Sequence, residues 1–230
     1  MKRMNIKSYY LNKLSAERLQ QCYDIAPPRA KQYLDAEIQY VVNKIRPSDI
    51  VLELGCGYGR VLEKLSARAK MVIGIDISQA SLELAKKLLS RISNFHLFQM
   101  NAIALGFRDR SFNVVICIQN GISAFKVSHR DLIRESIRVT QAGGMILFSS
   151  YSDKFWKDRL EWFHLQSKKG LIGEIDWDAT RDGVIVCKDG FKATTVRTSE
   201  FLSLTSEFDI KPKIEEVDDS SIFYEILVSQ

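Results

Sequence analysis

The stretch 51-VLELGCGYGR-60 decides the fold of this chain. Val51 to Leu54 read as a short buried strand, and glycines follow at every second position, Gly55, Gly57 and Gly59. A strand that runs straight into bare backbone lets the main chain approach a bulky ligand with no side chain in the way. A dinucleotide turn of the form GxGxxG would place its third glycine where Arg60 stands, and here the third glycine comes one residue early. The pattern is therefore ExGxGxG, built from Glu53, Gly55, Gly57 and Gly59, with Cys56 inside the turn.

Outward from this turn, strand-like and helix-like segments alternate. "RVLEKLSARA" reads as a helix, "MVIGID" as a strand, "SQASLELAKKLLSRI" as a helix and "NFHLFQM" as a strand. "FNVVICIQ", "SHRDLIRESIRVT" and "GGMILFSSY" continue the series as strand, helix and strand. Ser78 and Ser128 stand where N-caps belong, and Gly143 and Gly144 are expected to end the helix before them. Alternation at this pitch predicts an α/β fold, a doubly wound and mostly parallel Rossmann-like sheet. Ahead of it, Leu34, Ile38, Val41 and Ile45 share a helical spacing between Pro28 and Pro47.

The rhythm changes after residue 150. "KFWKDRLEWFHLQSKKG" reads as an aromatic-rich helix and "GVIVCKDGFKATTV" as two strands joined by a KDG turn. "SEFLSLTSEFD" then reads as a helix, with two strands after it. One domain is expected over 1–230: a helical cap at 1–47, a ligand-binding core at 48–150, a lid insertion at 151–198, and a last helix with two closing strands at 199–230. Phe155, Trp156, Trp162, Phe163, Trp177 and Phe191 suit an aromatic lid, a satellite core or a dimer surface, and the pattern leaves all three open.

Composition narrows the class. The chain has 33 basic and 28 acidic side chains, a formal charge of +5, and its basic residues gather only in pairs such as Lys86 and Lys87. A nucleic-acid partner is not indicated by so diffuse a charge. Cys22, Cys56, Cys117 and Cys187 form no CxxC pattern, so neither a metal site nor a disulfide framework is expected. The basic start "MKRMNIKSYYLNKL" lacks an apolar leader core, and no long apolar run is present. A cytoplasmic protein without a membrane partner is the expectation; no pattern selects an oligomeric state.

Asp76 supplies the second functional signal. It closes the strand "MVIGID", 21 residues past Gly55, where a carboxylate accepts hydrogen bonds from both hydroxyls of a ribose. With these residues the chain resembles the class I S-adenosylmethionine-dependent methyltransferases, over roughly 48–150 by motif and over 200–230 by order of elements. The resemblance implies a seven-stranded sheet and S-adenosyl-L-methionine as cofactor. It puts Glu53 through Gly59 under the methionine part, Asp76 on the ribose and Ile77 against the adenine. Asn101 and Ala102 stand where the family often has an acid and a small residue at the adenine amino group, and an Asn can still accept there. Ile118 and Gln119 become cofactor candidates and Asn120 a substrate-side candidate. Amino-terminal helices cap the pocket in many members. Arg29 and Tyr33, four apart on one helical face, could therefore close over the cofactor, with Arg29 on its carboxylate; the alternative is a packed Tyr33 and a solvated Arg29.

The implied activity is methyl transfer by in-line displacement, which positioning and water exclusion can drive without a catalytic triad. No catalytic residue is assigned, although His129, His164 or an acid of the insertion could serve as a base. "IQNG" stands where members acting on base amino groups commonly carry NPPY, so a small-molecule acceptor is expected. An RNA or protein methyltransferase, a catalytically silent cofactor-binding module and a nicotinamide-dependent oxidoreductase are the alternatives.

Overall fold

A computed structural model describes residues 9–229, so the first eight residues of the expected cap and leader-free start, and the last residue of the closing segment, lie outside the described residues. Three helices come first: α1 (Tyr9–Lys13), α2 (Ala16–Asp24) and α3 (Pro28–Val42). Pro28 opens α3 at the position where a missing N–H costs nothing. The alternating part follows as β1 (Ile50–Leu54), α4 (Arg60–Ser66), β2 (Met71–Asp76), α5 (Gln79–Leu88), β3 (Phe95–Gln99) and β4 (Phe112–Cys117). Then come α6 (Gly121–Ala124), α7 (His129–Val139), β5 (Thr140–Tyr151), α8 (Trp156–Lys168), β6 (Ile185–Val186) and β7 (Lys192–Ala193). α9 (Thr198–Ser206), β8 (Lys213–Val217) and β9 (Ser221–Leu227) close the chain. The two serines cap as their positions predict, Ser78 Oγ accepting from Ser81 N and Ser128 Oγ from Asp131 N, each at 3.2 Å.

Seven strands form one sheet in the order β3-β2-β1-β4-β5-β9-β8. The pairs from β3 to β5 are parallel, and β9 runs antiparallel to both β5 and β8. Strand order reverses between β1 and β4, which opens a crevice at their carboxyl ends. Alternate residues of β1 feed the two faces: Leu52 and Leu54 pack with Val115, Ile146, Leu132 and Phe201, while Val51 packs with Ile38, Val61 and Leu82.

Gly143 and Gly144 do not end a helix. α7 stops at Val139, Thr140 already has extended backbone, and both glycines lie inside β5. The register jumps from Phe112 opposite Thr140 to Val114 opposite Met145, so the glycines absorb a bulge. At Gly144 a Cβ would come within 2.8 Å of two backbone carbonyl oxygens, which excludes any side chain there.

A third core joins the amino-terminal helices to the segment after β5. Leu14, Cys22, Tyr33 and Leu34 pack there with Phe155, Trp162, Phe163 and Phe191, and Trp162 Nε1 donates to the Cys22 carbonyl at 2.8 Å. Of the roles open to the 151–198 aromatics, these contacts are those of a satellite core. Trp177 alone among them stands well out in solvent, its ring 5.3 Å from that of His164.

Candidate functional site

The crevice at the sheet edge is a pocket. Its floor takes Glu53, Gly55, Cys56 and Gly57 from the turn after β1, Asp76 and Ile77 from the end of β2, Asn101 and Ala102 beyond β3, and Ile118 and Gln119 beyond β4. α1, α2 and the turn joining them supply its roof through Tyr10, Leu14, Ser15, Leu19 and Tyr23. Ala16 N donates to Ser81 Oγ at 3.0 Å and ties that roof to α5.

The glycine turn is held open by its own backbone. Gly55 N and Cys56 N donate to the Ile75 carbonyl at 2.8 and 2.9 Å, which fastens the turn to the end of β2. Gly55 has φ +74°, and a Cβ on it would lie 2.4 Å from the Phe125 ring. Gly57 N donates to Asp76 Oδ2 at 3.0 Å and Ser78 N to Asp76 Oδ1 at 2.8 Å. Each carboxylate oxygen retains a lone pair, so Asp76 can still accept two hydroxyls. Burial raises the Asp76 carboxyl even against these donors. Gly59 does not line the pocket: it has φ +87°, and a Cβ would meet Leu89 at 2.8 Å and Ala85 at 3.2 Å, so its bareness serves the packing of α4 on α5.

Three buried polar atoms around this pocket have no hydrogen-bond partner among the described residues: Glu53 Oε2, Arg60 Nη2 and Gln119 Nε2. Glu53 is 5% exposed, and burial pushes its carboxyl up to about 8, with Arg60 pulling it down and Asp76 adding to the rise. Arg60 lies over the Tyr23 ring at 4.7 Å. In the sequence Arg60 registered only as a missing glycine. Its place at the first position of α4, directly after the turn, was the available sign that it faces the same edge.

Glu37 of α3 also went unnoticed in the sequence. Its Oε2 accepts from Gln119 N at 2.6 Å and Ser149 Oγ at 2.9 Å, and its Oε1 from Ser221 Oγ at 2.6 Å. These bonds brace Gln119 and Asn120, which have φ +55° and +61°, a left-handed pair without glycine. Burial pushes Glu37 up to about 7 although the three donors favour its ionised form.

Besides Gly59, three of the expected site residues lie elsewhere. Arg29 Nη1 and Nη2 donate to Asp218 Oδ2 and the Asp218 carbonyl, both at 2.6 Å, because the first turn of α3 sits beside the β8–β9 turn and not over the pocket. Tyr33 is fully buried in the third core, its ring 4.9 Å from Phe155 and 5.4 Å from Tyr151. Asn120 turns away from the pocket, donating to the Thr194 carbonyl at 2.9 Å and accepting from Ser150 Oγ at 2.8 Å, so it fastens the insertion to the sheet. The two histidines weighed as bases do not line the pocket either; His129 faces Glu200 at 3.4 Å and His164 packs on Trp177.

Residues 51–144 match a family model described as a methyltransferase domain. A malonyl-[acyl-carrier protein] O-methyltransferase of Marinomonas sp. (strain MWYL1) is 30% identical over 174 residues, 73% of this chain and 62% of that protein. A ubiquinone biosynthesis O-methyltransferase of Nitrosomonas europaea is 30% identical over 103 residues, 44% of this chain and 43% of its own length. The chain thus spans about two to three fifths of the length of these two curated relatives. Among solved structures, the N-methyltransferase NodS of Bradyrhizobium japonicum WM9, in complex with S-adenosyl-L-homocysteine, superposes with a TM-score of 0.61 at 13% identity, covering 93% of this chain and 97% of that one. At that identity the likeness is one of fold.

Proposed function

We propose, from the likeness of residues 51–144 to methyltransferase domains, that the chain is a class I S-adenosylmethionine-dependent methyltransferase that binds S-adenosylmethionine in this pocket and methylates a small-molecule acceptor. The carrying observation is the set of three unpartnered atoms, Glu53 Oε2, Arg60 Nη2 and Gln119 Nε2. Buried polar groups without partners are rare and costly, and an acid, a base and an amide of this kind suit the zwitterionic end of an amino acid. Glu53 takes the ammonium group and Arg60 the carboxylate. Asp76 takes the ribose diol, and Ile77 and Ala102 flank the purine. Asn101 Oδ1, which accepts from Ile103 N at 3.2 Å, keeps a lone pair for the adenine amino group.

When bound, the cofactor supplies a methyl group activated on a positive sulfonium. The chain's part is to orient and to keep water out: Leu14, Leu19, Ile118 and Phe125 supply apolar walls, and Glu37 holds the Gln119 backbone in place. Both curated relatives named above are O-methyltransferases, which supports an oxygen acceptor here. Burial raises the Tyr10 and Tyr23 hydroxyls, so they stay protonated and act as donors and not bases. An acceptor that arrives already ionised fits such a site, since it needs no proton removed. Residues 9–47 would form the cap over a 48–150 core that 199–229 closes, with 151–198 packed behind that cap as a satellite core. Four free, buried thiols support a reducing cytoplasmic setting.

Calorimetric titration tests the cofactor. Binding of S-adenosylhomocysteine in preference to NADH is expected, and the reverse preference, or no heat with either, would overturn the proposal. Turnover of a labelled methyl donor across an acceptor screen then separates an enzyme from a silent module.

A further inference from the structure

Among the described residues Arg159 of α8 is the largest fully buried side chain, at 1% exposure, and it has no acid to pair with. Its Nη1 donates to the Gly183 carbonyl at 3.1 Å and to Thr195 Oγ1 at 2.9 Å, both neutral. Nε and Nη2 are buried and bare. The guanidinium lies 4.1 Å from the centroid of Tyr151, with Trp156 and Phe163 further out, and ring faces recover only part of the hydration a buried cation gives up. A fork of N–H donors in this state is complementary to a carboxylate.

A second cation stands nearby. Lys126 Nζ donates to Thr194 Oγ1 at 3.2 Å, next to the threonine that holds Arg159. Partial desolvation, and repulsion from Lys192 and Arg159, lower the ammonium of the solvent-exposed Lys126, so the two cations share one positive field. This field adjoins the cofactor pocket. Phe125 and Val127, on either side of Lys126, line that pocket, and so does Tyr10, which packs on the core that holds the Tyr151 and Phe163 rings beside Arg159.

Resting on the methyltransferase reading of the adjoining pocket, we propose that Arg159 recognises the carboxylate of the methyl acceptor, and that the acceptor is a small carboxylate with an aromatic or apolar body. Lys126 adds long-range attraction. Tyr10 forms the wall that such a molecule displaces on its way to Arg159. The recognised carboxylate is the handle, and the oxygen that receives the methyl group belongs to another part of the acceptor.

The test uses the full chain saturated with S-adenosylhomocysteine, titrated with sodium benzoate and with benzamide as its neutral counterpart, followed by tryptophan fluorescence and ligand-observed NMR. Benzoate is expected to bind at least about tenfold tighter than benzamide, and Arg159→Met to bring the two within about twofold while S-adenosylhomocysteine affinity stays unchanged. Equal binding of the two probes by the wild-type protein, or a preference that survives in folded Arg159→Met, would overturn the proposal. Should Arg159→Met not fold, as judged by its melting curve, Arg159→Gln takes its place, and the wild-type ratio decides regardless. Loss of S-adenosylhomocysteine binding by the wild-type protein would strike the cofactor reading instead, leaving the benzoate ratio to be read on the free protein.

Discussion

Cofactor binding to this protein is expected to release a proton, and Glu53 is its source. In the free protein burial holds the Glu53 carboxyl at about 8, so about 1% is ionised at pH 6 and about 9% at pH 7. An ammonium group beside it favours the carboxylate, and that partner pulls the titration well below this range. Only the ionised fraction is ready for the ligand. Affinity should therefore rise close to tenfold from pH 6 to pH 7, about 1.4 kcal/mol, and flatten as pH passes 8. The assay is calorimetry of S-adenosylhomocysteine at three pH values in two buffers of different ionisation enthalpy, which counts protons directly. About one proton per site should leave at pH 6 to 7. Asp76 is raised as well, so Glu53→Gln serves as the control: it should remove the Glu53 proton and leave only what Asp76 adds. A flat affinity profile with no proton released would refute the assignment of Glu53 to the ammonium group.

Three further outcomes follow from the same geometry. Asp76→Ala should weaken S-adenosylhomocysteine binding by about 1 to 3 kcal/mol, the loss expected for a charged acceptor, and unchanged calorimetric affinity would take Asp76 out of the site. Gly59→Ala forces φ +87° on a residue with a Cβ and drives it onto Leu89; chemical denaturation should show a loss of about 1 to 3 kcal/mol with ligand affinity in the surviving fold little changed. Glu37→Ala leaves the Gln119 N–H and two buried serine hydroxyls without their acceptor and should cost about 2 kcal/mol or more, whereas Glu37→Gln, which keeps an acceptor for Gln119, should cost less in the same denaturation experiment.

What the sequence revealed and what it concealed divide along a physical line. The alternation of apolar runs with capped helices was legible because each element answers to local rules: strand patterning for "VVICI", a serine cap at Ser78, a bare turn at Gly55. That Glu53, Asp76 and Ile77 meet at one sheet edge was legible because strand ends are placed by the sheet itself. Arg29 and Tyr33 were misread, since helical spacing tells which residues share a face but not what that face meets; α3 turns Arg29 to Asp218 and Tyr33 into the third core. Asn120 was misread for a related reason, because a left-handed residue sends its side chain where a strand continuation would not. Arg60, Glu37 and Arg159 escaped notice because burial of a charge is a property of the whole fold. Gly143 and Gly144 looked like a helix stop, and only the pairing of β4 with β5 shows that they absorb a bulge.

The same burial that marks the site also sets its cost to the free protein. In an unfolded chain Glu53 and Glu37 would titrate near 4.5, while in the fold they sit at about 8 and about 7. Both shifts are upward, so the folded state holds protons that the unfolded state has already released, and stability declines with pH from about 4.5 through those folded values. Between pH 7 and 8 Glu37 passes from about half to about nine tenths ionised while Glu53 only reaches half, so Glu53 carries most of the remaining decline. Glu53→Gln should then melt higher than the wild-type protein at pH 8 in the absence of ligand, while binding S-adenosylhomocysteine more weakly. A variant that loses both melting temperature and affinity would mean that Glu53 serves the fold and not the ligand, and an orphaned carboxylate at the end of β1 would need another explanation.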